Sequence, residues 1–180
     1  MKGGGERENR LLFNACENGN TKLAMALVDR GADINAKDYV KGTPLHVACN
    51  KGHTDLAIAL VYRGADINAI DYIKGTPLHE ACLSDGNREL VMALVYMGAD
   101  IHARDHDQRT PLHVACIKGN MEVAMVLMYS GAIIRAGDDL GKTPLHWACI
   151  KGNMELAMVL VDRGADINVG DDGEITPLHE

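Results

Sequence analysis

Aromatic side chains are scarce, at 4% of the chain, with one tryptophan and one phenylalanine. A core must therefore be built from Leu, Val, Ile, Ala and Met, which suits thin stacked layers better than one thick globule. Long apolar runs are also missing. Nothing approaches the roughly 18 residues that a membrane helix needs, and no hydrophobic stretch follows Met1, so neither insertion nor export is expected. Positive charge is in short supply, with 18 Lys and Arg against 25 Asp and Glu and a formal charge of −7. That balance disfavours nucleic acid or an anionic membrane as the main partner, since both need a net positive surface. Metal-site spacings such as CxxC, HExxH or an EF-hand loop are absent, as is the nucleophile motif GxSxG. No cofactor, metal or catalytic residue is expected.

What is present is repetition. "TPLHVAC" begins at Thr43, "TPLHEAC" at Thr76, "TPLHVAC" at Thr110, "TPLHWAC" at Thr143 and "TPLHE" at Thr176, at steps of 33, 34, 33 and 33 residues. A fixed period in this range marks a stacked repeat array. Within Thr43 to Gly75, Thr43 is a good N-cap and Pro44 suits the first helical position. Leu45, Ala48 and Cys49 then form a narrow apolar stripe. Gly52 ends that helix in a left-handed turn, and Thr54 is placed to cap the next. Leu56, Ala57, Leu60 and Val61 form the second buried face, and Gly64 stops it. "GADINAIDYIKG" follows, with turn chemistry suited to a projecting loop. Two short helices cannot bury their faces alone, so neighbouring repeats must cover them.

The five cysteines, Cys16, Cys49, Cys82, Cys116 and Cys149, share one column. Equivalent atoms of stacked helices lie roughly 8–10 Å apart, whereas a disulfide needs Cα atoms within about 7 Å. Buried reduced thiols in an intracellular compartment are expected.

The "TPLH" signature, the glycine after the first helix and "GADIN" resemble the ankyrin repeat family over nearly all of residues 10–180. The resemblance implies an all-α repeat solenoid: L-shaped, helix-turn-helix units with projecting fingers and a concave face of first helices. It also implies a structural hydrogen-bonding role for the "TPLH" histidines. Repeats are expected at about 10–42, 43–75, 76–109, 110–142 and 143–175, with a truncated sixth at 176–180 after a flexible tail at 1–9. Ending without the sixth unit's second helix, with the last apolar layer uncovered, is expected for a fragment of a longer protein, the alternative being a natural end covered by a partner. An extra residue within Leu83 to Asn87 should enlarge the third inter-helix turn. "GAIIR" replaces "GADIN" in the fourth repeat, so Ile133 and Arg135 should leave that finger less ordered. Asn35, Asn68 and Asn168 resemble sites hydroxylated in some family members, although turn formation explains them more simply.

"AGDDLGKT", Ala136 to Thr143, satisfies a loose phosphate-loop pattern. The same slot reads "YVKGT", "YIKGT" and "HDQRT" elsewhere, and Pro144 removes one of the N–H donors such a loop needs. An ordinary finger is the better reading.

Candidate binding residues are those the framework does not explain. The fingertips carry Tyr39, Val40, Tyr72, Ile73, His106, Asp107, Asp139, Leu140 and Asp172. On the first helices Val47, Glu80, Val114 and Trp147 follow the histidine, and Trp147 is either a contact residue or packing against the next layer. Tyr62, Tyr96 and Tyr129 read as tyrosines lying along the second-helix surface. The expected function is a non-catalytic, cytoplasmic protein-interaction scaffold, with the nucleus also open to it. It would be monomeric unless the uncapped face self-associates, and would bind a protein partner carrying a basic segment. The alternative is the substrate-presenting part of a larger enzyme such as a kinase or a ubiquitin ligase.

Overall fold

The computed structural model describes residues 3–84 and 87–179. Among the described residues it contains ten α-helices, one short 3-10 turn and no strand. The chain divides into two compact units, Met1–Ala99 and Asp100–Glu180, where one continuous array was expected. Contacts in a repeat chain are local, so it parts readily between repeats; the division falls at the loop after the third helix pair.

In the first unit the helices are α1 (Gly3–Glu17), α2 (Thr21–Asp29), α3 (Pro44–Asn50), α4 (Thr54–Tyr62), α5 (Pro77–Leu83) and α6 (Arg88–Tyr96). Each odd helix packs on its even partner, the odd helices stack on one another, and so do the even ones. The second unit holds α7 (Pro111–Lys118), α8 (Met121–Tyr129), α9 (Pro144–Ile150) and α10 (Met154–Asp162), with a 3-10 turn at Pro177–His179 against α9.

The core follows the repeat columns. Leu45, Leu78, Leu112 and Leu145 are buried on the first helices, and Leu60, Leu94, Leu127 and Leu160 on the second. Small Ala48, Ala81, Ala115 and Ala148, all buried, sit between the larger residues and let the layers approach. Thr and Pro start the first helices as expected, with Pro44, Pro77, Pro111 and Pro144 at the N-terminal turn. Gly52 holds φ +71 just past α3, a region that L side chains enter only with strain. Helix α4 begins one residue earlier than its sequence suggests: His53 is its N-cap, and Thr54 is already helical.

The N-terminal end also differs from expectation. Instead of a tail to residue 9, α1 runs from Gly3. Its polar residues are tied to the segment just after α2: Asn9 Oδ1 accepts the Asp33 N–H at 2.8 Å, and Glu8 lies 3.8 Å from Arg30. The enlarged third turn lies partly outside the described residues, at positions 85 and 86. In the last layer Met154, Met158, Val161 and Leu178 are exposed around an apolar groove of about 240 Å³. Leu178 is 72% exposed, against 2% or less for its equivalents in the complete repeats.

Candidate functional site

Each finger turn is built around one aspartate. Asp38 Oδ1 accepts the N–H groups of Val40 and Gly42 at 2.9 Å, and Asp71 Oδ1 does the same for Ile73 and Gly75 at 2.9 and 2.8 Å. Lys41, Lys74, Gln108 and Glu174 hold left-handed backbone at the ends of their turns. In the fourth finger Gly141 takes that position with φ +73, so "AGDDLGKT" forms the same turn as its counterparts.

The turn presents the two residues after the aspartate. Tyr39 is 96% exposed and Tyr72 is 70% exposed, with Val40 and Ile73 beside them also exposed. The fingertips are joined by backbone: Tyr72 N–H donates to the Val40 carbonyl at 2.8 Å. In the second unit, Asp139 N–H reaches the Asp107 carbonyl at 2.9 Å and Asp172 N–H the Leu140 carbonyl at 3.0 Å. His106, Asp139, Leu140 and Asp172 are exposed there.

The histidine ladder is structural. Thr43 N–H donates to His46 Nδ1 at 3.1 Å, and His46 Nε2 meets the Gly75 carbonyl of the next finger at 3.1 Å. A backbone N–H can only donate, so Nδ1 is an acceptor and the ring proton sits on Nε2. His113 bonds Thr110 and the Lys142 carbonyl in the same way, and His146 bonds Thr143 and the Ile175 carbonyl. Burial lowers the His46 pKa and brings that of His113 down to about 4. The His46 and His113 rings therefore stay neutral, and all three histidines tie a helix start to the following finger. Among the described residues no group of three His, Cys, Asp or Glu is arranged to hold a metal, and no helix is long and apolar enough to cross a membrane.

Three candidate residues look different in the structure. Val114 is 6% exposed and belongs to the core. Asp107 is paired with Arg109 at 2.8 Å, so its charge is compensated from within. Trp147 is half-buried: its Nε1 donates to Asp138 Oδ2 at 2.9 Å, and the Arg109 guanidinium lies 5.0 Å from its ring centroid. Arg135, expected to loosen its finger, instead donates Nε–H to the Gly164 carbonyl at 2.9 Å, the link that Asn35 makes to Gly64. Ile133 has no side-chain acceptor to offer, in contrast to Asp33, which caps the Asn35 N–H at 2.9 Å.

Glu80 gains neighbours that its motif does not announce. Asn50 Nδ2 donates to its Oε2 at 2.6 Å, while burial and, secondarily, the Asp71 charge raise its pKa. It opens into a groove of about 200 Å³ shared with Glu17, Asp38, Val47 and Asp71. The signal for this groove lies in the repeat column before the "TPLH" threonine, which changes from glycine to a cation along the chain. Tyr62, Tyr96 and Tyr129 are exposed near the ends of their second helices, and Arg163 stacks 4.1 Å from the Tyr129 ring centroid.

No curated protein matches the chain. A family model described as ankyrin repeats (3 copies) matches residues 3–71 and 78–171. With most of its length accounted for by that model, the chain belongs to the ankyrin repeat family, whose repeats are in general protein–protein interaction modules.

Proposed function

We propose that this chain is a non-catalytic module that binds a protein partner through the fingertips of residues 1–99 and the first-helix positions beside them. The observation that carries the reading is the pair Tyr39 and Tyr72. Both rings stand in solvent on adjacent, hydrogen-bonded fingertips. They contribute little burial to the fold, and aromatic side chains are among the commonest anchors of protein interfaces. Val40 and Ile73 widen the patch, and Glu80 borders it on α5. In residues 100–180, His106, Asp139, Leu140, Trp147 and Asp172 are secondary contact candidates. Their exposed charges govern association rate and salt dependence more than final affinity. The five cysteines, none in a disulfide and four of them buried, fit a protein that works in a reducing compartment such as the cytoplasm.

The test is the double change Tyr39→Ala and Tyr72→Ala, with helix content checked by circular dichroism. A partner isolated with the unmodified chain should lose about 2 kcal/mol or more of binding to the variant. A folded variant with unchanged affinity rules the fingertip site out.

A further inference from the structure

Two positions decide how a finger aspartate is neutralised. One is the residue before the "TPLH" threonine that opens the aspartate's own repeat, and the other is the residue after the histidine of the next repeat. For Asp138 both are filled from within the chain, and for Asp171 the first is, whereas Asp105 has Gly75 and Val114 at these positions. Lys142 Nζ donates to Asp171 Oδ2 at 2.7 Å. Arg109 Nε lies 3.9 Å from Asp138 Oδ2, and Trp147 Nε1 donates to that same oxygen at 2.9 Å.

Around Asp71 the equivalent positions are Gly42, in place of the cation, and Glu80, in place of the tryptophan. Both line the acidic groove together with Asp71. Among the described residues no cation lies within ion-pair distance of Asp38, Asp71, Glu17 or Glu80, so four carboxylates bound the opening. Lys51 is the single cation among the lining residues. Val47 supplies an apolar wall suited to an aliphatic stem. The same turn geometry that receives Lys142 and Arg109 in one part of the chain is therefore present and unfilled in another.

From this we infer that the groove over Asp71 and Glu80 receives an arginine or lysine side chain of the protein partner, in the place that Lys142 and Arg109 fill in residues 100–180. The inference rests on the fingertip reading above, because Val40 lines the groove and also belongs to the apolar patch. The tyrosines would anchor the partner, and the groove would select a basic residue next to the anchor. Such a contact is charge-assisted on both carboxylates and is weakened by salt.

Gly42 offers a direct test. Its backbone is not left-handed, and a Cβ there would come no nearer than 3.5 Å to the Asp38 carboxylate. Gly42→Lys should therefore place an ammonium on Asp71 as Lys142 does on Asp171. The probes are Nα-acetyl-arginine methylamide, the matching lysine compound and the neutral citrulline analogue, titrated at low salt into ¹⁵N-labelled protein. The two cations should give saturable amide shifts at Gly42, Val47 and Glu80, and citrulline should not. Gly42→Lys should abolish those shifts, Gly42→Ser should keep them, and Glu80→Gln should weaken the arginine response about threefold or more. If Gly42→Lys fails to fold, the Glu80→Gln comparison decides. Equal shifts with citrulline, or cation shifts indifferent to both Gly42→Lys and Glu80→Gln, overturn the inference. The fingertip reading is judged separately by the tyrosine variant: cation binding that survives with no fingertip effect sinks that reading alone, and absent cation binding sinks this one alone.

Discussion

Acid should destabilise this protein as pH falls from 6.5 towards 4, and His113 is a main reason. Its side chain is fully buried, its Nδ1 faces the Thr110 N–H at 3.1 Å and its Nε2 faces the Lys142 carbonyl at 3.2 Å. A proton added to Nδ1 would oppose that N–H, so charging the ring breaks a bond as well as burying a charge. The native ring titrates at about 4 against 6.5 in the unfolded chain. Because the native value is depressed, the unfolded state takes up protons first. The stabilisation is complete above pH 6.5 and drains away as pH falls to 4. At about 1.4 kcal/mol for each tenfold difference in proton affinity, the loss amounts to about 3 kcal/mol. His46, also depressed by burial, acts in the same direction. Glu80, whose pKa is raised, acts against it, and Asp171, held at about 2, matters only below this window. Urea unfolding followed by circular dichroism at pH 7 and pH 4.5 measures the effect, with the slope m checked for constancy. His113→Gln removes the titrating group: it should cost about 2 kcal/mol at pH 7 through the lost buried bonds, yet lose about 2 kcal/mol less than the parent on acidification. Equal acid losses in parent and variant would refute the argument.

Three further outcomes follow from the same geometry. Hydrogen exchange should open residues after Thr143 before the segment Thr43 to Ala103, since Leu178 and Met158 lack covering neighbours; uniform protection would contradict this. Cys16, Cys49 and Cys116 should label slowly with a thiol reagent until denaturant is added, because burial pushes the Cys16 thiol up to about 12 and raises the other two as well. Cys149, only half-buried in the last layer, should label before them. Lys142→Met should return the Asp171 carboxyl from about 2 towards 3.8, because the Lys142 hydrogen bond is the largest cause of its depression. That change is read by NMR titration, and an Asp171 carboxyl that stays near 2 would place the cause elsewhere.

The helices and their order are legible in the sequence because caps, apolar stripes and glycine stops recur in register. Repetition turns each weak local signal into a strong one. Where the pattern is locally broken, side-chain geometry overrides it. "MKGGGEREN" reads as a tail, yet it is helical from Gly3, where Asn9 and Glu8 make contacts with residues 33 and 30. Val114 shares its column with Val47, but packing buries it more fully. Asp107 reads as a free acidic tip, and only the turn geometry brings Arg109 onto it. The acidic groove could have been found by comparing one column, Gly42, Gly75, Arg109, Lys142 and Ile175, but its meaning needs the aspartate that the column faces. The exposed tyrosines were legible by subtraction, because nothing in the framework needs them.

The most direct measurement of the central claim is a hydrogen-exchange footprint of this chain with and without its bound partner. Protection should appear at residues 38–42 and 71–75 and at the exposed side of α3 and α5, with the ends of α2, α4 and α6 unchanged. Protection confined to the second-helix ends, or to the last layer around Met158 and Leu178, would contradict the fingertip account.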